Sequence, residues 1–117
     1  MDNFDAFRRG ILTHYDPAVK SIYYRDIDPN DFKIPEENHE AFKLGLALGS
    51  DHFMVHTADG SYDYERDIAR YNRTVDQINE LLGAEVVNHV VAWSGGKNRY
   101  TAVHPETGLE VFLFKNH

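Results

Sequence analysis

The chain has 117 residues, 42% hydrophobic and 26% charged, a balance that supports one folded core and lies far from that of disordered chains. Lysine and arginine number 12 against 19 acids, for a net charge of -7, which speaks against binding to nucleic acid or anionic membranes, where clustered cations must neutralise phosphate. Cysteine is absent, so disulfides, thiolate metal ligands and thiol catalysis are excluded.

No apolar run approaches the ~20 residues that span a bilayer. The opening Met1-Asp2-Asn3-Phe4-Asp5 lacks the positive start and apolar stretch of a signal peptide. A single soluble, cytoplasmic domain over residues 1–117, with no cofactor, is the expectation from composition.

Asn3 is placed to cap a short helix whose Phe4, Phe7, Ile11 and Tyr15 share one face. Asp16-Pro17 reads as a cap and first position of a second helix, carrying Val19, Ile22, Tyr23 and Ile27. Asp28-Pro29-Asn30-Asp31 turns the chain. Over 35–48 two readings compete. Pro35-Glu36-Glu37 starts like a helix, with acids at the positive end of its dipole. Leu44-Gly45-Leu46-Ala47-Leu48 instead alternates large and small, like a strand of a hairpin. The helix is preferred, because its start has a mechanism. Gly49-Ser50-Asp51 reads as a turn and His52 to Thr57 as a strand.

The second half is more regular. After a turn at Asp59-Gly60 and a cap at Ser61 or Asp63, the residues Tyr64, Ile68, Tyr71, Val75, Ile78, Leu81 and Leu82 recur every three or four positions. They predict a long helix with one buried stripe, ended by Gly83 as a left-handed C-cap. Val86 to Trp93 reads as a central strand. Turns at Ser94-Gly95-Gly96-Lys97 and Pro105-Glu106-Thr107-Gly108 connect it to strands at Arg99–His104 and Leu109–Lys115. The predicted fold is therefore α+β: N-terminal helices and one long amphipathic helix packed on an antiparallel sheet that ends in a three-stranded C-terminal meander. The last strand is apolar on both sides, so the N-terminal helices or a second copy of the chain must cover it.

The densest charge lies in Asp26, Asp28, Asp31, Glu36, Glu37 and Glu40, opposed within that stretch by Lys33 alone. Asp26, Asp28, Asn30 and Glu37 also fall at positions 1, 3, 5 and 12 of a loop that resembles the calcium loop of EF-hands. The resemblance covers 12 residues and implies single-ion calcium binding. It departs where Asp31 replaces the loop glycine, where Lys33 replaces an apolar residue, and in having no second loop. A solvated acidic turn is preferred. His52 and His56 would lie about 13 Å apart on a strand and so make no ligand pair. Arg66, Arg70 and Arg73 form a stripe that acids three or four residues away can pair along the helix.

For catalysis, His89, Arg99 and His104 are the residue types that a small hydrolase or nuclease mounts on a sheet. No phosphate loop, nucleophile elbow or HExxH motif accompanies them. The preferred functional reading is a non-catalytic interaction module, such as an acidic inhibitor, nucleic-acid mimic or immunity-type protein. Its segment Asp26 to Glu40 would dock on a basic surface of a partner protein.

Overall fold

In a computed structural model the structure describes residues 1–16, 18–19, 26–57, 64–90 and 101–112. Three helices dominate them: α1 (Asn3–His14), α2 (His39–Thr57) and α3 (Tyr64–Leu82). Two short 3-10 turns, Pro29–Phe32 and Glu36–Asn38, lead into α2. The strands β1 (Thr101–Val103) and β2 (Glu110–Phe112) pair antiparallel, with Thr101 opposite Phe112 and Val103 opposite Glu110.

α1 and α2 cross with their backbones in contact. A Cβ built on Gly10 would overlap the Phe42 carbonyl oxygen and lie 2.9 Å from the Leu46 nitrogen. One built on Gly45 would overlap the Phe7 carbonyl oxygen. Ala6 and Gly10 on α1, and Ala41, Gly45 and Gly49 on α2, are all buried and recur every four residues. This spacing of small residues puts them on one line along each helix and lets two backbones approach closely. Phe4, Phe7 and Ile11 flank the contact on α1, and Phe42, Leu46 and Leu48 belong to the same core on α2. Each such side chain contributes roughly 1.5–3 kcal/mol by leaving water.

The alternation in Leu44 to Leu48 thus belongs to a helix. The turn expected at Gly49-Ser50-Asp51 and the strand expected over His52 to Thr57 are helical as well, since α2 runs unbroken to Thr57. α2 packs against both α1 and α3, so its apolar residues serve two contacts and blur the helical period that sequence reading depends on. At the start of α1 the cap is Asp2 rather than Asn3, its Oδ1 accepting from the Asp5 N–H at 2.7 Å. Asn3 instead accepts from the buried Asn38 carboxamide at 2.8 Å.

α3 follows its predicted stripe, with Ile68, Tyr71, Val75 and Ile78 buried and Gly83 left-handed at φ 69°. The α+β sheet with a three-stranded meander is not formed among the described residues. Among the described residues β-structure is confined to the β1–β2 pair, and the fold is mainly helical. Residues 86–90, expected to begin the central strand, are not a strand: their backbone is bonded largely to side chains of α3. The expected second helix, the Asp59-Gly60 turn with its caps and the hairpin at 94–97 fall wholly or mostly outside the described residues. No helix among the described residues is long and apolar enough to cross a membrane.

Gly45→Ala is expected to lower the unfolding free energy by about 2–3 kcal/mol, because overpacking here meets backbone that cannot swing aside. Gly49→Ala meets only the His14 side chain and should cost less. Urea titration of both variants checks the order.

Candidate functional site

The six acids of the N-terminal segment, Asp26, Asp28, Asp31, Glu36, Glu37 and Glu40, are all exposed. Alternating with them, Pro29, Ile34 and Asn38 are buried and anchor the same backbone. Asp28 caps the first 3-10 turn by accepting from the Asn30 N–H at 2.9 Å, with Pro29 in the first helical position. Lys33 closes that turn in the left-handed region at φ 56°. Among the described residues none of the six carboxylates forms an ion pair.

This geometry differs from the calcium loop that Asp26, Asp28, Asn30 and Glu37 resemble. The left-handed residue is Lys33, where the loop would need Asp31. The following helix begins at His39, after Glu37, where the loop would start it at Pro35. Among the described residues no three His, Asp or Glu side chains gather closely enough to hold a metal ion.

The trio His89, Arg99 and His104 is not assembled by the described residues. His89 lines a cleft of about 510 Å³ with Asp76, Asn79, Glu85, Val87 and Asn88. Its Nε2 lies 2.6 Å from Asp76 Oδ1, with both side chains more than half exposed, a setting in which a pair adds little stability. His104 lines a different cavity, with Asp2, Phe4, Leu81 and Leu82. Arg99 lies outside the described residues.

His104 is buried and held from both sides. The Glu106 and Thr107 N–H groups donate to its Nδ1 at 3.0 and 3.1 Å. Its Nε2 meets Asp2 Oδ2 at 3.1 Å, and its ring stands edge-on to Phe4 with centroids 4.7 Å apart. One imidazole thus ties the turn between β1 and β2 to the cap of α1. The donated Asp5 N–H, and then the bond to His104, hold the Asp2 carboxyl below the usual carboxylate range against a smaller opposing effect of burial.

Sequence reading missed two asparagines on α3. Asn79 Oδ1 accepts from the Val86 and Val87 N–H groups at 2.8 and 3.0 Å, and its Nδ2 donates to the Val87 carbonyl at 2.9 Å. Asn72 grips Val90 in the same way, accepting its N–H at 2.8 Å and donating to its carbonyl at 3.0 Å. The two carboxamides do the work of a neighbouring strand. Segment 86–90 meets β1 through the Val103 N–H, which donates to the Val86 carbonyl at 3.1 Å. Two asparagines seven apart, aligned on one line of a helix they disfavour, are the signal that could have revealed this.

The arginine stripe divides. Arg70 reaches across to α2, its Nε donating to the buried Asp51 at 3.0 Å. Thr74 Oγ1 donates to the other Asp51 oxygen at 3.3 Å. Asp51 is thereby a tie between α2 and α3, and it had no place among the candidate residues. Compared with known proteins, the chain matches no family model, no curated protein and no solved structure.

Asn79→Ala leaves two buried N–H groups without an acceptor and is expected to cost about 2–3 kcal/mol in urea titration. Asn79→Asp keeps an acceptor oxygen and should cost less. The lowered Asp2 pKa means that its charge stabilises the fold above the ordinary carboxylate range, and that this contribution disappears as pH falls through the lowered value. Asp2→Asn keeps a cap oxygen but not the charge. Its melting temperature should differ most from wild type at neutral pH and converge with it as pH falls through the lowered Asp2 value.

Proposed function

We propose that the chain is a non-catalytic interaction module whose segment Asp26 to Glu40 docks on a basic surface of a partner protein, as an acidic inhibitor, nucleic-acid mimic or immunity-type protein would. The observation that carries this reading is the exposure of all six carboxylates on a backbone pinned by buried Pro29, Ile34 and Asn38. A charged surface already held in place loses little conformational freedom on docking. Its field also speeds encounter with a cationic partner.

A hydrolase or nuclease has one observation in its favour, the Asp76–His89 pair in a cleft. The same cleft is lined by Asp76 and Glu85, which repel a phosphodiester. His104 already uses both ring nitrogens within the fold.

The test is capture with the intact chain as bait, beside a variant carrying Asp31→Asn, Glu36→Gln, Glu37→Gln and Glu40→Gln. Asp28 is left in place because it caps a turn. Wild type should retain a basic protein that raised salt releases, and the equally stable variant should not. Retention of nothing, or of the same proteins by both baits, would overturn the proposal.

A further inference from the structure

The hydrogen bonds around His104 fix which ring nitrogen carries the proton. Backbone N–H groups can only donate, so Nδ1, which receives those of Glu106 and Thr107, must present its lone pair. The ring proton therefore resides on Nε2 and is donated to Asp2 Oδ2. An imidazolium carries a hydrogen on both nitrogens. Its Nδ1–H would point at two N–H groups that cannot accept it, inside a turn where the side chain is only 9% exposed.

We infer that His104 is a proton-sensitive latch: protonation at Nδ1 opens the 104–108 turn and releases the end of the β1–β2 hairpin from the start of α1. The same turn forms one wall of an open cleft of about 160 Å³, also lined by Phe4, Leu81 and Leu82, which its release widens. Among the described residues, Asp2, Asp5 and the Met1 ammonium lie at the start of α1, Glu106 lies in the turn and Glu110 on β2 opposite Val103, and the end of α3 contributes only leucines to the cavity. Asp2 favours the cation, but its side chain is 55% exposed, so water screens that attraction. The N-terminal end of the α1 dipole opposes it. Asp2 also keeps the Asp5 N–H as a partner when His104 leaves, so opening strands no charge.

Nitrogen NMR of the His104 ring at pH 7.5 should show the Nε2–H tautomer; the Nδ1–H tautomer would overturn the proposal. Amide exchange, corrected for intrinsic rate, reads the opening itself at Glu106 and Thr107. Lowering pH from 7.5 to 5.5 should raise their opening. The Val90 amide, held by Asn72, should not follow. His104→Asn supplies a carboxamide oxygen that accepts from the N–H two residues on and does not titrate, so its turn should stay closed at both pH values. Unchanged protection in wild type, or the same rise in His104→Asn, would refute the latch. Should that variant fail to fold, the wild-type tautomer and the contrast with Val90 decide alone.

Discussion

The contact between Gly10 and Gly45 sets the geometry on which the other elements are arranged. With no side chain at either position, α1 and α2 meet backbone to backbone, and the Phe7 and Phe42 carbonyls lie against the opposing helix. The aromatic residues beside the crossing are thereby driven into one core rather than onto two helix surfaces. A single methyl group at the crossing would push the helices apart and loosen contacts along their length.

From that pair outward, the fold is closed by polar ties at specific points. Asp51 and Arg70 join α2 to α3. Asn72 and Asn79 hold the chain after α3 against that helix. His104 fastens the β1–β2 turn to the cap of α1, joining residues 102 positions apart. Each tie satisfies backbone or carboxylate groups that burial would otherwise leave costly. The surface left over is the acidic segment, whose carboxylates are spent on no ion pair among the described residues. Scaffold and candidate docking surface are thus separated along the chain, although Asn38 ties the acidic segment to Asn3.

Legibility followed the solvent. α3 has one face toward the core and one toward water, and its stripe from Ile68 to Ile78 could be read directly. The Asp28-Pro29 turn and Gly83 were readable because caps and left-handed residues act over a few positions. α2 was read only in part. It packs against two other helices, and within it Gly45 and Ala47 between leucines looked like the two-residue alternation of a strand. The central strand failed for a different reason. Its valines have the composition of a strand, but their backbone partners are side chains of α3, which no local pattern announces.

The sequence by itself determined α3 and its end at Gly83, the acidic turn at 28–31, the absence of thiol chemistry, and the concentration of negative charge between Asp26 and Glu40. These rest on composition or on interactions spanning a few residues. Tertiary structure alone decided that α2 is helical to Thr57, that carboxamides replace a strand pairing at 86–90, and that His104 is paired with Asp2. Those outcomes depend on which groups meet across long stretches of chain, where burial removes water as the alternative partner and makes each match specific.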